Sequence, residues 1–170
     1  GLEIITCPAT ITVQKEKLKV LFEAIRTTTL HPEKSCGLHI HISKNSISGM
    51  QLGRILEFIN KKENKPFIKS IAEREASFSK FNEDITTVSA APELINNISA
   101  STDRYSAVNL SNKDTIEFRI FASTNQYENI LYKLEFLKAL LDYTRTGQQG
   151  ITSLKEVSNL LITADSFFVV

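Results

Sequence analysis

Residues 105–122 read YSAVNLSNKDTIEFRIFA, and the fold turns on this stretch. Its two ends, 105–111 and 115–122, are rich in β-branched and aromatic residues, as strands are. Between them Ser111-Asn112-Lys113-Asp114 supplies turn chemistry, so the two runs are expected to form an antiparallel hairpin with a short loop.

The same strand character recurs at 1–5 (GLEII) and 37–43 (GLHIHIS), with helical spacing in the gaps. Leu18, Leu21, Phe22 and Ile25 predict a helix over 14–27. Leu52, Ile55, Leu56 and Ile59 predict another over 49–62, opened by a capping-box pattern from Ser48 to Gln51. A long helix is expected from about 126 to 145, carrying Ile130, Leu131, Leu134, Leu137, Leu140 and Leu141 and stopping before Gly147. Ser153 caps a last short helix. Residues 77–104 are polar and weakly periodic, which reads as a substrate loop or lid with at most one short helix near 92–98. The expected class is therefore α+β, one domain over 1–170.

Composition narrows the function classes. A chain of 170 residues buries enough of itself to need neither disulfide nor structural metal for a core. Its 20 Lys and Arg against 19 Asp and Glu give a net charge of +1, which supplies no field for nucleic acid or an anionic membrane. Any anion site must be local. Cys7 and Cys36 are too few for a disulfide framework, so a reducing, cytoplasmic setting is expected. No apolar run approaches the roughly 20 residues that span a bilayer.

Strand parity then gathers the chemistry. Alternate side chains point to opposite faces. In 37–43, Leu38, Ile40 and Ile42 share one face, and His39, His41 and Ser43 the other. In 115–121, Ile116, Phe118 and Ile120 oppose Glu117, Arg119 and Phe121. Val108 and Leu110 oppose Ala107 and Asn109, and Leu2 and Ile4 oppose Glu3 and Ile5. Each strand thus has an aliphatic face for helices. The pooled second faces carry Glu3, His39, His41, Asn109, Glu117 and Arg119. Carboxylate oxygen suits Mg²⁺ or Mn²⁺, imidazole admits Mn²⁺ or Zn²⁺, and arginine offers planar donors to phosphate or carboxylate.

Blander readings stand beside this one. The two histidines fit a polar face with satisfied hydrogen bonds. Glu117 and Arg119 fit an exposed ion pair worth ~0–1 kcal/mol. Glu3 fits a terminal charge. Cys36 has the wrong parity to join both histidines in a zinc site, and no nucleophile motif or Gly-rich phosphate loop is present.

The ordered motifs CGLHIHIS (36–43), IAERE (71–75), DRYSAVNL (103–110) and TIEFRIFAST (115–124) resemble the amidoligase family of the glutamine synthetase and glutamate–cysteine ligase superfamily. The likeness runs from GLEIITCP to about residue 146. It implies a curved antiparallel sheet with a polar concave face and helices behind. It also implies an ATP-dependent reaction, in which a small-molecule or peptide carboxylate becomes an acyl phosphate and an amine displaces the phosphate. Glu3, His39 and Glu117 would hold Mg²⁺ or Mn²⁺. Arg119, Arg104 and His41 would act on the transferring group, and Arg74, Arg119, Asn109 and Tyr105 would contact the nucleotide. Arg74 also has the plainer reading of a charged helical face.

That family carries an earlier strand of G-x-E-x-E type, and GLEII matches its second strand better than its first. The chain is accordingly expected to be a piece of a longer polypeptide that supplies the missing strand; a glycine left by a cleaved tag is the other reading of Gly1. Two further functions stay open: an inactive structural module that keeps the ligase fold, and a zinc-binding domain built on the histidine pair.

Overall fold

A computed structural model of the chain describes residues 2–33, 35–74, 79–81 and 105–145. Three strands form one antiparallel sheet: β1 (Gly37–Ser43), β2 (Val108–Asn109) and β3 (Thr115–Ala122), in the order β1-β3-β2. The most apolar strand takes the centre. Ile116, Phe118, Ile120 and Phe121 of β3 are almost wholly buried. The hairpin joining β2 to β3 forms as the sequence predicts, and its turn is tied by its own asparagines. Asn109 Oδ1 accepts from Ser111 N at 3.0 Å, and Asn112 Oδ1 from Asp114 N at 3.0 Å. Lys44, just past β1, clamps the same turn by donating to Leu110 O at 2.8 Å and Asn112 O at 2.5 Å.

Four helices complete the described fold: α1 (Ile11–Ile25), α2 (Gly49–Asn60), α3 (Lys65–Ala72) and α4 (Tyr127–Arg145). Ser48 caps α2 through its hydroxyl, which accepts from Gln51 N at 3.2 Å. Gln51 does not close the box. Its amide is buried and reaches Leu141 O at 2.9 Å on α4 instead. Ile55, Leu56 and Ile59 of α2, Ile68 and Ile71 of α3, and Phe136, Leu137 and Leu140 of α4 share one core with the sheet. Phe136 meets Phe121 and Phe67 edge-on. Helix α1 lies outside this core and rests on α4, with Phe22 its one buried residue. No described helix is long and apolar enough to cross a membrane.

The structure corrects three expectations. Residues 2–10 form no strand; they are extended and exposed, with Leu2 and Ile5 in solvent. Strand propensity needs a neighbour on the ladder, and this segment has none among the described residues. The run 105–111 narrows to the two residues of β2, because Lys80 bridges Ser106 in parallel and takes over the pairing there. Helix α3, absent from the sequence reading, starts on Asn64-Lys65-Pro66 and ends at Glu73, which adopts a left-handed φ of 56°. The helices expected near 92–98 and after Ser153, and most of the 77–104 loop, lie outside the described residues.

A fourth difference bears on the site. Across β1 and β3 the register is regular from Ser43↔Thr115 to Ile40↔Phe118, then shifts, so that Leu38 faces Phe121 and Gly37 faces Ala122. His39 therefore stands against two residues of β3, Arg119 and Ile120. This bulge breaks the alternation beyond Phe118. Phe121, placed by parity on the polar face, instead packs into the core against Phe136.

Candidate functional site

One row of the sheet sets the site. His41 of β1 and Asn109 of β2 are both direct cross-strand partners of Glu117 in β3, so the three side chains share a face. Glu117 is buried, at 7% exposure, and its carboxylate is fully engaged. Arg119 Nη1 donates to Oε1 at 2.8 Å, and Asn109 Nδ2 donates to Oε2 at 2.8 Å. His39 Nδ1 lies 3.1 Å from Oε1, and His41 Nε2 lies 3.8 Å from the same atom. The latter is too long for a hydrogen bond. His41 turns its other nitrogen to Thr115 Oγ1 at 3.1 Å. Asn109 is itself fixed, because its Oδ1 accepts from Ser111 N.

His39 sits where the bulge points it, between Glu117 and two guanidiniums. Its pKa is held below 6.5, first by burial and then by Arg119, with Arg74 and His41 adding to the effect and Glu117 opposing it. With the imidazole neutral, Nδ1–H donates to the Glu117 carboxylate across this 3.1 Å contact. That assignment leaves the Nε2 lone pair buried with no partner. Arg119 Nε is buried and unmatched too. Two buried polar atoms with opposite needs, one acceptor and one donor, thus sit within a single cluster.

Arg74 completes the patch. The left-handed turn at Glu73 sends the chain back over β3, where Glu73 bridges Phe121. Lys133, buried on α4, holds this corner by reaching Ala122 O at 3.0 Å and Glu73 Oε2 at 3.1 Å. Arg74 Nη1 then donates to Arg119 O at 2.5 Å. Its guanidinium lies against the Cα of Gly37, and a Cβ there would fall on the guanidinium carbon and both terminal nitrogens. Burial, and then the neighbouring Arg119, lower the Arg74 pKa.

The expected residues thus divide. His39, His41, Asn109, Glu117, Arg119 and Arg74 come together from β1, β2, β3 and the end of α3. Glu3 does not, since the strand that was to carry it stays exposed outside the sheet. Tyr105 is described, with its carbonyl taking Lys80 N–H at 2.7 Å, while Arg104 lies outside the described residues. Cys36 is exposed, and its carbonyl accepts from Ser123 N at 3.2 Å. Sequence reasoning missed Gly37 and Thr115. A glycine at the head of a strand, just before the two histidines, is a known sign of close approach, and here Arg74 is what approaches.

The donor set bears on a metal. Among the described residues no group of three or more His, Cys, Asp or Glu side chains is disposed to hold one. Glu117 already serves three donors, and His39 offers one open lone pair. One open lone pair beside an already engaged carboxylate is no metal cage built by the protein alone. No family model, curated protein or solved structure matches the chain.

Proposed function

We propose that this chain is the catalytic module of a cytoplasmic, ATP- and divalent-metal-dependent ligase that joins a carboxylate to an amine, with a glutamine synthetase-like fold. The observation that carries the reading is the pair of unmet buried atoms, His39 Nε2 and Arg119 Nε, beside the guanidinium of Arg74. An anionic phosphate suits the arginines, and a metal on that phosphate suits the imidazole. His39 and Glu117 would hold Mg²⁺ or Mn²⁺, which neutralises phosphate charge when bound. Arg119 and Arg74 orient the transferring group. Asn109 keeps Glu117 in place, and His41, half exposed beside it, would exchange a proton with the entering amine. In the same reading Arg104 acts on the transferring group and Tyr105 contacts the nucleotide. Substrates are small-molecule or peptide carboxylates and amines, not nucleic acid or membrane.

One observation favours a second reading, an inactive structural module. Arg119 is already neutralised by Glu117, and Glu3 stands apart from the cluster. Thermal unfolding with ATP and Mg²⁺ or Mn²⁺ separates the two. Ligand at ~100 times its dissociation constant adds about 2.7 kcal/mol, a shift of several degrees for a domain of this size. The ligase reading expects a shift that needs nucleotide and metal together and is lost in Arg119→Ala. No shift in this chain, nor in one extended upstream of Gly1, leaves the structural module.

A further inference from the structure

Two parts of the chain have the chemistry of a strand pair and, among the described residues, no partner. One is the outer edge of β1. Its inner edge is taken by β3, and among the described residues nothing pairs with the other. No residue of β1 is buried, and Leu38, Ile40 and Ile42 are only partly covered. Proteins ordinarily blunt such an edge with lysine, proline or a covering element. GLHIHIS contains neither lysine nor proline.

The other is the segment 2–6, LEIIT. Leu2, Ile4 and Ile5 are 69%, 47% and 83% exposed, three large aliphatic side chains within four residues. Burying Leu2 and Ile4 in a partner gains, for each, on the order of what a core aliphatic gains. The segment does not fold back onto β1 of its own chain. Thr10 caps α1, and Gln14 Nε2 donates to Cys7 O at 2.6 Å, so the residues before the helix are held at its N-terminal end.

We infer that residues 2–6 of one copy of this chain add as a strand to the open edge of β1 in a second copy. The exchange is reciprocal, giving a two-fold dimer. The side chains match in registers of one parity only. Leu2 and Ile4 fall on the face of Leu38, Ile40 and Ile42, which needs cover. Glu3 falls on the face of His39 and His41, where a carboxylate meets two imidazoles. A slip by one residue would bury Glu3 among the aliphatics, so the pairing is specified by charge as well as by shape. This inference is independent of the ligase reading.

The test is sedimentation of the full chain from low micromolar to submillimolar concentration, with amide exchange on the same samples. Wild type is expected to dimerise, with the amides of residues 3–5 protected only in the dimer. Ile4→Pro removes one ladder donor and weakens the dimer about tenfold or more. It leaves monomer unfolding unchanged, because Ile4 is unpaired there. Glu3→Lys weakens the dimer as well. A chain that stays monomeric throughout overturns the inference, as does a dimer indifferent to Ile4→Pro. Protection of 3–5 in a monomer also overturns it, because the strand would then pair within its own chain.

Discussion

Removing Glu117 and Arg119 singly and then together tests whether the two are one unit. Both side chains are largely buried and lie 2.8 Å apart. At an effective dielectric of about 20, that separation corresponds to a gross attraction of about 6 kcal/mol, most of which is offset by desolvating both groups. Glu117→Ala strands the Arg119 guanidinium beside His39 and Arg74 and should cost about 3–5 kcal/mol. On a chain of this length that lowers Tm by about 6–20 °C. Arg119→Ala should cost less, about 1–3 kcal/mol, because Asn109 and His39 still donate to the carboxylate. The double variant should fall short of the sum by about 2–3 kcal/mol, since its second substitution removes a charge already left alone. Urea unfolding of the four proteins gives each value. A coupling below about 0.5 kcal/mol would mean that the two groups act separately, and the clamp would be a coincidence of geometry.

Gly37→Ala pushes a methyl into the Arg74 guanidinium, which swings away and gives up its bond to Arg119 O; urea unfolding should show a loss of about 1–2 kcal/mol, and an unchanged midpoint would show that Arg74 does not rest there. His39 has a folded-state pKa below 6.5, so the unfolded chain binds its proton first as pH falls. Its contribution is whole above about pH 6.5 and is lost as pH drops toward the folded value, so stability declines there. His39→Gln should flatten that decline in a pH series of thermal melts, and an unaltered slope would place the dependence elsewhere. Lys133→Met keeps the length of the buried side chain but leaves Ala122 O without its donor. A cost of about 1–3 kcal/mol is expected, and a gain in stability would show that the buried charge was the greater burden.

Much of the site was legible because a strand reports its faces residue by residue. His41, Asn109 and Glu117 sit side by side because each lies at the right parity in a correctly read strand, and the Asn- and Asp-rich turn fixed how β2 meets β3. Three things were not legible. The bulge at Arg119 and Ile120 leaves no mark in composition, since either parity puts an aromatic or aliphatic residue somewhere acceptable; only the register with β1 reveals it. GLEII has the same pattern as a paired strand, but pairing belongs to the neighbour as much as to the segment, and Glu3 goes wherever that segment goes. Helix α3 is short, opens on Lys-Pro and ends on a left-handed glutamate. It offers too few turns for a periodic signal, and with it went the reason why Arg74 reaches the sheet.

The bulge in β3 works as a phase shifter. Residues before it keep one beat with β1 and residues after it keep the opposite beat, so a single strand serves two clients: a charged cluster at one end and an aromatic core at the other. The two halves are therefore free to vary under different rules, with polar exchange tolerated at 117 and 119 only in concert and size conserved at 120 and 121. It also follows that deleting Ile120 would close the ladder into regular register with Phe121 still opposite Leu38 and Ala122 opposite Gly37, so both clients would keep their faces and the loss would be the buried Ile120 side chain itself.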